Sequence, residues 1–235
     1  MNQEYYQHPE LAQMQQQIAA MAKAYLNKVY AWMAVSMLLT AGTAIYATSS
    51  FETLTWCAEN QIWLLLGTLA LILIMSFCRN SLTTGALSVL FLAFSAMEGL
   101  ALGPILSLYT TQSLGLTFAC TSGMFGGMAL FGAFTKRNLS GMGRTLMMML
   151  IGLIIAGIAN MFFGNSTADL IISAVGVIVF CLFTAYDTQR ILAEGAYLTD
   201  SVDRSKGAIM GAVSLYLDFL NLFLYLLRFL GAARD

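Results

Sequence analysis

The stretch AIMGAVSLYLDFLNLFLYLLRF, residues 208–229, decides how the chain is to be read. It is apolar for as long as an α-helix needs to cross the bilayer, ~20 residues for roughly 30 Å of hydrocarbon, yet Asp218 sits near its middle. An aspartate costs about 2.5–3.5 kcal/mol at the centre of a membrane helix, so it is expected to face protein or a water-filled path. Gly207, Gly211, Ser214, Asp218, Asn221, Tyr225 and Arg228 recur at steps of three and four along one face. Leu215, Leu217, Phe219, Leu222, Phe223 and Leu226 cover the other. The helix is therefore expected to stand against other protein along a polar stripe.

Six further apolar stretches precede it, at 30–48, 62–78, 85–109, 114–134, 145–163 and 169–186. They are continuously apolar, whereas the strands of a membrane β-barrel alternate apolar and polar residues. The expectation is an all-α, polytopic membrane protein of seven transmembrane helices. Composition agrees: of 235 residues, 59% are hydrophobic and 10% charged, against about 25% charged in a soluble domain. Little chain is left for a soluble catalytic domain. A formal net charge of -1 gives no electrostatic case for nucleic acid, which needs clustered Lys and Arg. The expected partners are the lipid bilayer, ions and a possible membrane protein.

His8 is the sole histidine, which removes Ser-His-Asp triads and HExxH zinc sites. Cys57, Cys78, Cys120 and Cys181 are too widely spaced for CxxC chemistry and are expected to be structural. No Asp-x-Asp-x-Asp calcium loop occurs, so neither a metal site nor a cofactor is expected. Gly123 and Gly127, and Gly152, Ala156 and Asn160, carry the small-residue spacing of close helix packing. Met147, Met148 and Met149 read as lipid-facing or packing residues rather than copper ligands.

The first thirty residues are Gln-rich and lack the pattern of a cleaved signal peptide. Leu11, Met14, Ile18, Met21, Tyr25 and Val29 recur at steps of three and four, as in an amphipathic helix lying on the membrane. Residues 1–28 are accordingly expected to form that segment and residues 29–235 the seven-helix domain. Lys23 and Lys28 precede the first stretch, Arg79 follows the second, Lys136, Arg137 and Arg144 follow the fourth, and Arg190, Arg204 and Lys206 follow the sixth. The intervening loops, one of which holds Glu52 and Cys57, have none. By the positive-inside rule the N-terminus is cytoplasmic. The C-terminus is then outside if the last helix crosses fully, while Arg228 and Arg234 leave a re-entrant last segment open.

Three acids interrupt apolar stretches: Glu98, Asp187 and Asp218. The plain reading is a neutral, hydrogen-bonded acid that glues helices together. The alternative is a path lined by Glu98, Ser214, Asn221 and Tyr225. Asp187 and Asp218 flank a short connection, so their helices can be antiparallel neighbours. Two carboxylates meeting in low dielectric cannot easily both ionise, so a pair that meets holds one proton and senses pH.

LALGPILSLY at 100–109, TKRNLSGMG at 135–143, AYDTQ at 185–189 and LYLDFLNLFLYLLRFLG at 215–231 resemble, in order and spacing, the Bax inhibitor-1 family of transmembrane Bax inhibitor motif proteins, and specifically its bacterial members. The resemblance implies a seven-helix fold with the last helix central. It further implies a pH-sensitive calcium leak of the bacterial inner membrane, with Asp187 and Asp218 as the sensing pair, Arg79 as a basic latch to that pair, and calcium as permeant ion rather than cofactor. Glu98 matches an acid found in only part of the family. No enzyme activity is expected. Two rival readings stand beside the leak. One is a binding protein that regulates a membrane protease or another partner. The other is an intramembrane aspartyl protease, which Tyr186-Asp187 resembles but for which Gly-x-Gly-Asp and Pro-Ala-Leu motifs are missing.

Overall fold

The computed structural model describes residues 9–198 and 200–232, and among them the chain is helical throughout its regular structure. The helices are α1 (Pro9–Ala47), α2 (Phe51–Glu59), α3 (Gln61–Phe77), α4 (Thr84–Ser107), α5 (Thr111–Phe134), α6 (Met142–Phe163), α7 (Ser166–Tyr197) and α8 (Ser201–Leu230). Six are long and apolar enough to cross a membrane, and α2 and α3 meet the same standard when taken together as one bent pair, for up to seven spans. The protein is a polytopic all-α membrane protein. His8 and Arg234 lie outside the described residues.

α8 is the axis of the bundle. It packs on α1, α4, α5 and α7, and Leu215, Tyr216 and Leu222 on it are fully buried. Phe91 and Phe94 of α4 meet the Tyr216 ring edge-on at 5.9 and 5.6 Å, and Phe125 of α5 meets Phe219 at 5.4 Å, arrangements that aromatic pairs prefer. Tyr216 also reaches a hydroxyl: its oxygen lies 2.7 Å from Thr40 Oγ1, which donates in turn toward the Ser95 carbonyl at 2.9 Å.

Close packing falls on glycines other than those the spacing pointed to. A Cβ at Gly99 would strike Thr40 and Thr43, and one at Gly103 would strike Ala47, so this pair lets α4 lie against α1. Gly132 is pressed on the Ala185 carbonyl in the same way. At Gly123, Gly127 and Gly152 a Cβ would meet nothing within 4 Å. Those positions are turned away from neighbouring helices, and Asn160 is used at a helix end, where its side chain accepts from the Asn165 backbone at 3.2 Å.

Two elements depart from the pattern read in the sequence. α1 continues through positions 28 and 29 without a break, so residues 9–28 form one 39-residue helix with the first span, while residues 1–8 of the expected segment lie outside the described residues. Tyr25 and Val29 of its apolar stripe are buried at 2% and 0% exposure, and Tyr25 rests on Gly195 and Gly207 of α7 and α8. Arg204 fastens the contact, donating to the carbonyls of Gly195, Leu198 and Met21 with its guanidinium 5.6 Å from the Tyr25 ring. The second departure is α2, where a loop was expected. Ser50 caps it by accepting from Thr53 N, Asn60 ends it by donating to the Trp56 carbonyl, and the axis turns by 67° into α3. At 17 residues, α3 is about 25 Å long, and α2 makes up the shortfall. Cys57, expected in the loop, is 1% exposed beneath α2.

The basic connections gather at one end of the bundle. Lys28 donates to Ser205, Lys206 to the Asn80 carbonyl, and Gln189 to the Arg137 carbonyl. At the opposite end the backbone of Ala232 accepts from Thr110 N at 3.3 Å and donates to Ser113 Oγ at 3.0 Å. α8 therefore runs the full height of the bundle and is not re-entrant.

Candidate functional site

α7 outruns its apolar stretch by about three turns and α8 begins about two turns before its own. The turn between them is thereby moved away from the bundle centre, and Asp187 and Asp218 are both drawn inside it. Asp187 is 6% and Asp218 5% exposed. No hydrogen bond joins the two. They face the same cavity, of about 540 Å³, and interact electrostatically. Glu98 of α4 and Ser214, Asn221 and Tyr225 of α8 line that cavity as well. Three helices thus each contribute an acid to one cavity, and the polar stripe of α8 supplies part of its wall.

The two aspartates differ in their partners. Asp187 Oδ1 is 3.3 Å from Arg190 Nη2, one turn further along α7. The same Arg190 atom donates to Ser214 Oγ at 3.1 Å, and its guanidinium lies 5.8 Å from the Tyr186 ring. Asp218 Oδ2 is buried with no hydrogen-bond partner among the described residues. A buried carboxylate oxygen without a donor is costly, and a proton, a cation or a water molecule in the cavity can satisfy it.

Arg79 does not take the place expected for it. Its Nη2 pairs with Glu194 Oε1 at 3.3 Å, and Glu194 lies seven residues beyond Asp187, about 10 Å further along the helix. The cationic partner of Asp187 is Arg190, and the reason is reach: Arg190 leaves the same helix one turn away, whereas Arg79 follows the end of α3. Arg79, Arg190, Glu194, Tyr197 and Ser214 line a second cavity, of about 610 Å³, toward the basic end. Ser214 belongs to both cavities, so the Arg190–Ser214 hydrogen bond stands in the partition between them.

Tyr225 lines the acidic cavity as well, stacked on Phe180 at 5.8 Å and seated on Gly176, where a Cβ would lie 2.6 Å from the ring. Gln189 of the AYDTQ stretch plays a supporting part. It accepts from Leu139 N at 2.7 Å and donates to the Arg137 carbonyl at 2.9 Å, tying the α5–α6 connection to the helix that carries Asp187. Sequence reasoning treated Arg190 only as a loop charge. Its spacing of three from Asp187 is the signal that identifies it, since residues that far apart share a helix face. Among the described residues, no three His, Cys, Asp or Glu side chains converge as a metal site would require.

The family model described as "Inhibitor of apoptosis-promoting Bax1" matches residues 22–235. The chain is 41% identical over 217 residues to the inner membrane protein YbhL of Escherichia coli strain K12, covering 90% of this chain and 93% of that one. It is 38% identical to a protein of Borreliella burgdorferi, over 96% of this chain and 99% of the other. A protein of Deinococcus radiodurans is 36% identical, with 96% and 97% covered. A family match that begins within α1 and takes in all three acid-bearing helices, with relatives aligned over nearly their whole lengths, shows that the chain belongs to the Bax inhibitor-1 family.

Proposed function

We propose that the chain is a pH-sensitive cation leak, with calcium as a permeant ion, in a bacterial inner membrane. The observation that carries this reading is the unpartnered Asp218 carboxylate inside a cavity of about 540 Å³ that it shares with Asp187 and Glu98. Proton and cation compete for that oxygen, and a site that exchanges one for the other couples ion occupancy to pH. Asp187 and Asp218 form the sensor. Arg190, bonded at once to Asp187 and Ser214, links the charge on the pair to the partition toward the basic end. Glu98, Ser214, Asn221 and Tyr225 line the route. The protein acts as a conduit and not as an enzyme, and its partners are the bilayer and the permeant cation.

The test is ion flux into liposomes that contain only the purified protein, followed against pH for calcium and for monovalent cations. Asp187→Asn and Asp218→Asn are each expected to flatten the dependence of flux on pH between about 6 and 8, the range in which perturbed carboxyls at functional sites titrate. If both variants keep the wild-type profile, the sensor reading fails and the acids serve only to hold helices together.

The basic end of the bundle is proposed to be cytoplasmic, following the positive-inside rule. Cys57 is too buried to report this. An exposed position beside it does: Glu59→Cys is expected to react with an impermeant thiol reagent in intact cells, and the exposed native Cys78 only after the membrane is opened. The reverse order of labelling inverts the topology.

A further inference from the structure

α1 and α5 both pack on α7, and between them lies a crevice of about 530 Å³. Leu26 and Tyr30 of α1, Phe125, Gly126 and Phe134 of α5, and Leu192 of α7 form most of its walls. It is separate from the acidic cavity and shares no lining residue with it. Its one charged lining residue is Lys23, at the basic end. The α5–α6 connection, with Lys136 and Arg137, starts just after Phe134. Gln189 holds that connection through Arg137 and Leu139, one turn of α7 before Leu192. None of the three cations belongs to an ion pair among the described residues. The acid of α1, Glu10, is thirteen residues from Lys23, about 20 Å along the helix.

We infer that this crevice is a binding site for one anionic phospholipid, with an acyl chain lying between α1 and α5 and the phosphate at Lys23, Lys136 and Arg137. Charge complementarity selects this occupant. An extended peptide entering from hydrocarbon would bring backbone groups that the apolar walls leave unsatisfied, and water finds polar side chains only at Lys23 and Tyr30. An acyl chain has no such groups, and a phosphate meets the unpaired cations at the mouth. Basic pockets between membrane helices hold anionic headgroups in this way. The inference is independent of ion conduction.

The purified protein, reconstituted in vesicles of equal phosphatidylglycerol and phosphatidylcholine, is extracted in mild detergent and weighed by native mass spectrometry. The wild type is expected to retain one phosphatidylglycerol in preference to phosphatidylcholine by at least tenfold. A Cβ at Gly126 would meet nothing within 4 Å, so Gly126→Phe is expected to fill the crevice without displacing protein and to lower retention of either lipid at least tenfold. Ala133→Met, also in the crevice, provides a second filling variant, and Gly123→Phe, equally open but outside it, is expected to retain lipid as the wild type does. The combined Lys23→Gln, Lys136→Gln, Arg137→Gln variant is expected to keep a lipid and lose the preference for phosphatidylglycerol. Absence of a retained lipid in the wild type overturns the proposal. So does retention in proportion to the mixture, or retention unchanged by both filling variants in proteins whose helicity and melting match the wild type.

Discussion

α6 and α8 are each long enough to span a bilayer, at 22 and 30 residues, yet 11% of the most apolar segment of α6 is buried inside the protein against 61% for α8. The more apolar of the two is the more exposed. Met147, Met148, Ile155 and Ile158 of α6 are all more than half exposed, and α6 packs chiefly on α7. α8 carries Ser214, Asp218 and Asn221 and has neighbours on all sides. In water, the apolar helix would be driven inward. In lipid the solvent is as apolar as leucine, so helices are sorted by what lipid tolerates poorly, which is polar side chains, and by what packs closely, which is small ones.

Moving an acid from one helix type to the other breaks the comparison most severely. Ile155→Asp, near the middle of α6 and 61% exposed, is expected to cost about 2.5–3.5 kcal/mol of insertion free energy. It is read as loss of membrane-integrated protein, while Asp218→Asn at the heart of α8 inserts as the wild type does. Insertion of Ile155→Asp at the wild-type level would mean that the polar stripe does not sort the helices.

A smaller effect comes from bulk. Gly207 of α8 is backed by the Tyr25 hydroxyl, with Glu194 and Leu198 at 3.0 and 3.2 Å from a Cβ placed there. Gly207→Leu is therefore expected to lower the midpoint of detergent-driven unfolding by about 1–3 kcal/mol of overpacking.

Smaller again is the Arg79–Glu194 pair, whose side chains are 36% and 28% exposed. A double-mutant cycle with Arg79→Gln and Glu194→Gln is expected to give a coupling of about 1 kcal/mol or less. Arg79→Gln is also expected to leave the pH profile of cation flux in place, whereas Arg190→Gln, which removes both the Asp187 pair and the Ser214 bond, alters it. A profile that follows Arg79 and ignores Arg190 would reverse the assignment of the aspartate's partner.

The smallest effect belongs to α6. A Cβ at Gly152 meets nothing within 4 Å, so Gly152→Leu is expected to stay within about 0.5 kcal/mol of the wild type. A drop as large as that of Gly207→Leu would mean that α6 has a protein neighbour on that face.

The spans were readable because continuous apolar runs have one stable form in a bilayer, the helix, and the central place of the last one because Asp218 and its stripe need protein around them. What escaped notice depended on partners distant in sequence. Nothing near Gly99 or Gly132 says that the Thr40 and Ala185 carbonyls will press against them, whereas Gly123 and Gly152 have similar spacing and no neighbour. The continuity of α1 was hidden because its Gln-rich half is polar by composition and is held by Arg204 from the far end of the chain. The site was legible as a set of acids on separate helices. Its asymmetry was not, because a basic residue after a membrane helix reads as a topology signal before it reads as a carboxylate's partner.

Of the eight described helices, the one at the centre of the bundle is also the last to leave the ribosome, since chains are made from the N-terminus. Until α8 inserts, the faces of α1, α4, α5 and α7 that it will cover have only lipid or one another for company, and the acids Glu98 and Asp187 lack the wall that encloses them. The six preceding spans therefore reach the membrane before the helix that completes their core, whose far end is fixed when Ala232 pairs with Thr110 and Ser113. A chain cut short before α8 keeps every preceding span and the packing of α1 on α4, and loses the central residues around which the rest of the core is arranged.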